Sequence, residues 1–295
     1  MVFVLYNTHA GAHFGEDKLR SKMKTFFPNE EISYTDTITV ENKQSFVDNL
    51  TPKDSLVVVG GDGTLNRFVN GIEDRDYPFD IFCYAAGTGN DFVNDVAGVK
   101  TDEMIRINDY IKELPVIEVN GNSYKFINGM GCGIDGYCCA VGDEHRRRKN
   151  GKSPSYTAIA FKGLLYAFKT LNAEVTVDGV TKSYKNVWMV PSMNGRYFGG
   201  GVKITPGQDR LNKERTISVA VVACKSRLKL LTVFPRIFKG THTKFTDLFI
   251  LNPNAKQVHV KFDRPTDLQI DGEPLLNVTE YKVRSAACAK QPAPV

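Results

Sequence analysis

Apolar positions fall into two different rhythms along this chain, and the rhythm changes near residue 115. Before that point, short continuous apolar runs alternate with stretches of helical spacing. Residues 2–6 (VFVLY) and 56–59 are such runs, and these two together with 31–37 and 79–85 each read as a strand. Between them Leu19, Met23, Phe26 and Phe27 mark one face of a helix stopped by Pro28. Phe46, Val47 and Leu50 mark a second helix, and a further one starts over 90–96. Leu65, Phe68, Val69 and Ile72 recur at i, i+3, i+4 and i+7, the spacing of a helix face. Strands alternating with helices predict a parallel sheet covered on both faces.

Beyond residue 115 the pattern is one of hairpins. Asn120-Gly121 separates strands at 116–119 and 123–127, and Asp178-Gly179 separates 174–177 from 181–184. Residues 187–193, 216–223, 256–262 and 267–271 also read as strands, with helices predicted over 155–170 and 225–238. Tyr166, Phe168 and Trp188 read as core. The expected fold is an α/β domain with a parallel sheet over 1–120, then an antiparallel β-sandwich domain with helical insertions over 121–275.

Composition narrows the class. With 42% hydrophobic and 24% charged residues the chain has the profile of a soluble globular protein. A net charge of +5 suits anionic ligands such as nucleotides or acidic membrane surfaces and is too small to indicate nucleic acid. The run His145-Arg146-Arg147-Arg148-Lys149 reads as a solvated loop, with contact to anionic headgroups as the alternative. The six cysteines form no CxxC pair, and Cys138-Cys139 are adjacent, which suggests a reduced, cytoplasmic setting. No apolar run approaches the roughly eighteen residues of a membrane span.

Three strings carry candidate chemistry. Gly60-Gly61-Asp62-Gly63-Thr64 joins a predicted strand to a predicted helix. Glycines there let main-chain N–H groups approach phosphate oxygens, at a helix N-terminus that favours anions. Asp62 repels phosphate, so its natural partner is Mg²⁺, reached through water and bridging to a nucleotide. Gly87-Thr88-Gly89-Asn90-Asp91-Phe92 repeats the strand–loop–helix device one strand later, with Asn90 or Asp91 able to cap the helix. Gln269-Ile270-Asp271-Gly272-Glu273 ends a late strand; Asp271 can be a hairpin turn residue or the carboxylate that accepts a hydroxyl proton.

The strings GGDGTLNRFVNGI (60–72), GTGNDF (87–92) and QIDGEPL (269–275) together resemble the diacylglycerol kinase catalytic-domain family, in particular its compact bacterial lipid-kinase branch. NAD kinases share the first string but not the second, and sphingosine and ceramide kinases are similar to this family too. The resemblance implies an NAD kinase-like nucleotide domain and a β-sandwich lipid domain with the site in the cleft between them. It also implies that 276–295 returns to the first domain. ATP and Mg²⁺ are the implied cofactors, and a lipid hydroxyl, diacylglycerol first among them, is the implied acceptor, giving phosphatidic acid for phospholipid synthesis. The implied setting is cytoplasmic, with transient contact to the inner membrane face; a homodimer is left open. By the same resemblance Asn7, Gly11 and Thr35 join Gly60, Gly61, Asp62, Gly63, Thr64, Gly87, Thr88, Asn90 and Asp91 around the nucleotide. Asp271 is then the base, with Glu273 beside it.

The chain departs from the family pattern in places. Thr8 and Ala10 stand where the first loop usually has Pro and Ser, and Arg67 where Glu is usual. Lys213-Glu214-Arg215-Thr216-Ile217-Ser218-Val219 replaces a more acidic segment that holds a structural cation in some relatives. Asp209 and Glu214 are the residues left to ligate such an ion.

Overall fold

The computed structural model describes residues 1–7, 15–87, 89–98, 102–149 and 154–289. The chain divides into two units, Met1–Glu113 and Leu114–Val295. In the first, β1 (Val2–Tyr6), α1 (Glu16–Phe26), β2 (Ile32–Asp36), α2 (Lys43–Asp48), β3 (Ser55–Gly60), α3 (Asp62–Asn70), β4 (Asp80–Ala85), α4 (Asp91–Ala97) and β5 (Met104–Arg106) follow one another. The sheet order is β2-β1-β3-β4-β5, parallel except for β5. The helical stripe on α1 places Leu19 and Met23 against Val2, Val4, Val57, Val59 and Tyr84. Leu56–Val59 is buried along its whole length, which is why that strand reads as an unbroken apolar run. Register aligns the strand ends: Tyr6 lies opposite Asp36 and Val59, and Gly60 opposite Ala85. The first two candidate strings therefore leave the sheet at one edge, the carboxyl ends of its parallel strands.

The second unit contains β6 (Val116–Val119), β7 (Asn122–Lys125), β8 (Gly129–Gly133), α5 (Ile134–Arg148), α6 (Tyr156–Lys162) and a π-turn over Gly163–Ala167. It continues with β9 (Leu171–Val177), β10 (Val180–Met193), β11 (Ile217–Ala223), α7 (Arg227–Val233), β12 (Phe249–Ala255), β13 (Gln257–Ile270), β14 (Glu273–Arg284) and α8 (Ala286–Ala289). All its strand pairs are antiparallel. β10 and β13 are long and change partners midway, from β9 in their first halves to β8 in their second. Both changes fall at register breaks, and Pro265 lies within the β13 break, where its missing N–H costs no ladder bond.

Several expectations need correction here. Residues 256–262 and 267–271 are one strand, not two. β8 was not foreseen, because GMGCG sets glycine where a strand usually shows branched or aromatic residues. Its glycines are set by packing: a Cβ on Gly129 would lie 2.4 Å from Met193 Sδ. The basic run is no loop, since His145–Arg148 forms the last turn of α5, where positive charge suits the helix dipole. Gly136 lets this helix lie on β13, for a Cβ there would come within 2.0 Å of Asp267 O. Phe168 and Trp188 are core, but Tyr166 is 67% exposed. The unit boundary falls after Glu113, and β14 pairs with β13 and β6. The segment after 276 thus stays with the second unit through Arg284, because its ladder partners lie there.

Candidate functional site

The first constellation is built on backbone. β3 ends at Gly60, and Gly61 precedes α3, whose first residue is Asp62. A Cβ on Gly60 would sit 2.5 Å from Thr64 Oγ1, and one on Gly87 2.5 Å from the Gly61 Cα. The two loops therefore touch main chain to main chain, and Ala86 N donates to Gly60 O at 2.9 Å. Asp62 reaches across the contact. Its Oδ2 accepts from Asp91 N and its Oδ1 from Phe92 N, both at 3.0 Å, so this carboxylate caps α4 from another loop. Asn90 takes the left-handed conformation, φ 52°, and closes the second loop on itself. Its Oδ1 accepts from Gly87 N at 3.0 Å and its Nδ2 donates to Gly87 O at 2.8 Å. Asn7 and Thr35 lie at the same sheet edge, Thr35 opposite Leu5 in register. Gly11 and Thr88 lie outside the described residues. Burial pushes the nearby Cys83 thiol up to about 12, with Asp62 adding to the effect, so it is no nucleophile.

The second constellation surrounds the two-residue turn Asp271-Gly272 between β13 and β14, with φ 46° and 90°. Asp271 is buried. Its Oδ2 accepts from Ile127 N at 2.6 Å, and its Oδ1 from Asn128 N and Gly129 N, both at 2.9 Å. The turn is held from below: Gln269 Oε1 accepts from Gly272 N at 2.9 Å and the Cys139 thiol donates to Gly272 O at 2.7 Å. Burial raises the Cys139 thiol to about 12, with Glu273 among the charges that add to the effect. Glu273 also stands near enough to Tyr156 to disfavour its ionisation, behind the larger effect of burial.

Sequence reasoning missed the polar network behind this turn. Buried Arg210 donates to Ile127 O at 3.0 Å and to Asn128 Oδ1 at 3.1 Å, while Asn194 Nδ2 donates to Ile127 O at 3.0 Å. The loop after Arg210 is stitched in the same way. Asn212 donates to Asp209 O and Thr216 O, Gln208 to Asn194 O and Thr216 O, and Arg215 to Arg210 O. Asp209 Oδ1 accepts from Leu211 N at 3.0 Å. These bonds close the Asp209 loop on its own main chain. Among the described residues no group of three or more His, Cys, Asp or Glu is placed to hold a metal ion.

One acidic residue was not singled out at all. Asp135, in the first turn of α5, has both carboxylate oxygens sealed from solvent without a well-formed hydrogen bond, although the residue as a whole is half-buried. Burial pushes its carboxyl up to about 6, and the N–H groups of Gly136 and Asp135 and the Gln269 amide pull it back only in part. Gly131 makes the room, since a Cβ there would lie 1.8 Å from Asp135 Oδ2.

An α/β unit with two clasped glycine loops at its sheet edge is followed by an antiparallel β unit with a buried Asp-Gly turn, the arrangement that two family models match. Residues 1–117 match the diacylglycerol kinase catalytic domain, and residues 129–287 match the YegS C-terminal NAD kinase beta sandwich-like domain. The chain belongs to the family of the YegS C-terminal NAD kinase beta sandwich-like domain, whose model covers more than half of it, and its first 117 residues carry the diacylglycerol kinase catalytic-domain match. It is 26% identical over 215 residues to a Mycobacterium tuberculosis diacylglycerol kinase, covering 70% of this chain and 67% of that one. The crystal structure of a Bacillus anthracis diacylglycerol kinase shares the fold, with a TM-score of 0.61 at 18% identity over 97% of this chain and 94% of that chain. No described helix is long and apolar enough to cross a membrane.

Proposed function

We propose that the protein is an ATP-dependent lipid kinase that transfers the γ-phosphoryl group to the hydroxyl of diacylglycerol, yielding phosphatidic acid and ADP. The observation that carries this reading is the Asp62 clasp, which fixes two glycine loops side by side at the carboxyl edge of a parallel sheet. Main-chain N–H groups of Gly61, Asp62 and Gly63 then bind and orient the phosphates, with Asn7 and Thr35 at the rim, while the N–H groups of Gly87 and Thr64 are spent on Asn90 Oδ1 and Gly61 O and shape the loops. Mg²⁺ would arrive on the nucleotide and offset charge on the phosphate oxygens, meeting Asp62 and Asp91 only through water. As the hydroxyl oxygen bonds to the γ-phosphorus and ADP leaves, Asp271 takes the hydroxyl proton, with Glu273 alongside. A carboxylate already holding three N–H donors is a weak base, but phosphoryl transfer through a loose transition state asks little more than an oriented acceptor.

The test is an assay with labelled ATP and a panel of lipids in mixed micelles, including sphingoid bases and ceramide. Transfer to diacylglycerol is expected; transfer only to a sphingoid base or ceramide would move the acceptor within the same chemistry. A second reading, a non-catalytic nucleotide or lipid sensor, is favoured by the commitment of Asp271 to three backbone donors. ATP binding without turnover on every lipid would establish it and overturn the first.

A further inference from the structure

Both oxygens of the Asp135 carboxylate and the side-chain nitrogen of Gln269 are sealed inside the second unit without a well-formed hydrogen bond. They share one place. Gly131 on β8 lies opposite Gln269 on β13, so the Gln269 side chain stands on the sheet face where Gly131 has none. The Asp135 carboxylate occupies that space, for a Gly131 Cβ would lie 1.8 Å from its Oδ2. Gly136, the next residue of α5, lets the helix close on β13 beside it. Burial raises the Asp135 carboxyl to about 6, and the N–H groups of Gly136 and Asp135 and then the Gln269 amide draw it part of the way back. At neutral pH it is ionised and can only accept hydrogen bonds.

The other end of the Gln269 amide is already committed. Its Oε1 accepts from Gly272 N at 2.9 Å, inside the Asp271-Gly272 turn. An amide carries one oxygen and one nitrogen at its tip, so a neighbour that only accepts turns the nitrogen towards itself and the oxygen towards Gly272. One helical turn after Asp135, Cys139 donates its thiol proton to Gly272 O at 2.7 Å. The helix thus holds the residue after Asp271 twice, once directly and once through Gln269.

We propose that Asp135 is a positioning residue for phosphoryl transfer: its carboxylate orients the Gln269 amide, which with Cys139 fixes the turn that presents Asp271 to the acceptor hydroxyl. This rests on Asp271 being the group that meets that hydroxyl. When Asp135 is protonated its O–H can donate to Gln269 Oε1 in competition with Gly272 N, and the hold slackens. The titratable groups facing Asp135 are Cys132 on β8, Cys138 and Cys139 on α5 and Tyr281 on β14, all kept protonated by burial through neutral pH. Asp267 on β13, whose carboxyl burial also raises, lies at the Gly136 contact. Tyr156 on α6 and Glu273 on β14 stand further along, beside Cys139; β10 brings Pro191, which carries no charge.

Steady-state kinetics in mixed micelles, well below the melting transition, test it. Asp135→Asn leaves an amide that can turn either way, and kcat is expected to fall about five- to tenfold, the worth of one oriented hydrogen bond, with the KM for ATP unchanged. The variant should melt no lower than the wild type, because a buried charge is gone; a group that served stability alone would leave kcat untouched. The acid limb of the wild-type kcat profile, expected near pH 6, should vanish with it. Gln269→Glu alone sets two carboxylates face to face and should lower kcat further. Adding Asp135→Asn reverses the pair, so that the carboxylate at 269 accepts from Gly272 N and from the amide at 135, and kcat is expected to recover to within about twofold of the wild type. Wild-type kcat in Asp135→Asn, or a reversed pair no faster than Gln269→Glu, overturns the assignment. Hydrogen exchange at the Gly272 amide reads the hold without turnover: protection should fall in Asp135→Asn and return in the reversed pair, and unchanged protection would overturn it too. An inert wild type with these exchange changes intact would instead sink only the role of Asp271.

Discussion

Replacing Asp271 by asparagine keeps the shape of the side chain and removes its charge, and so separates what this residue holds from what it does. Asn-Gly suits the left-handed turn as well as Asp-Gly, so the backbone at φ 46° is not disturbed. With the new amide nitrogen at the Oδ2 position only the 2.6 Å bond from Ile127 N is lost; the other orientation forfeits the bonds from Asn128 and Gly129. The loss of one charge-assisted bond and the weakening of two more amounts to about 2–4 kcal/mol. A cooperative unit of this size shifts by about 2–4 °C per kcal/mol, so a drop of about 5–15 °C is expected in its melting transition. Asp271→Ala, which leaves all three donors without the carboxylate, should fall further. Calorimetry on both variants, paired with micelle assays well below their transitions, makes the measurement. An asparagine variant that melts like the wild type refutes the structural argument. One that melts low yet turns over at the wild-type rate eliminates Asp271 as the proton acceptor.

Gly87→Ala places a methyl group 2.5 Å from the Gly61 Cα, so the two loops must part. ATP affinity by calorimetry should fall by at least about tenfold, because a shift of even an ångström in positioning groups has large effects; unchanged affinity would show that the clasp does not shape the nucleotide site. Chelator is expected to leave the melting temperature of the nucleotide-free protein unchanged, since the Asp209 loop is closed on its own main chain by hydrogen bonds; a clear drop would reveal a structural ion. Asp135 gives a pH signature. Its folded-state value of about 6 lies above the ordinary 3.8, so the native state holds this proton more tightly and its stability falls as pH rises between those values. Asp135→Asn cannot ionise and should gain on the wild type by about 3 kcal/mol across that window, read by calorimetry at several pH values; a constant difference would show that the carboxyl titrates normally.

The first unit was legible because its periodicities and its geometry share a cause. A strand buried on both faces must be apolar throughout, and Leu56–Val59 is; a helix lying on a sheet must carry a stripe, and α1 does. The second unit was legible only where turns announce themselves, at Asn120-Gly121 and Asp178-Gly179, each with positive φ at both positions. β8 was hidden because close packing against Met193 and Asp135 demands glycine where a strand usually shows branched residues. The polar residues behind Asp271 gave no signal either. Asn128, Asn194 and Arg210 are distant in sequence and act through main-chain carbonyls, which no side-chain spacing reports.

Two of the aspartates singled out for chemistry, Asp62 and Asp271, turn out to share a structural device. Asp62 accepts successive N–H groups of residues 91 and 92, and Asp271 those of residues 127, 128 and 129. Each carboxylate organises a loop remote in sequence by satisfying donors that would otherwise be buried without partners. The glycines have a matching double role: they free the main chain to face phosphate, and they let one loop lie against the next. Loss of activity on removing either aspartate is therefore no evidence of a direct part in phosphoryl transfer, because the loop it holds is released at the same time. Only a variant whose loops stay ordered can isolate the chemical contribution, which is why thermal stability and turnover have to be read on the same protein.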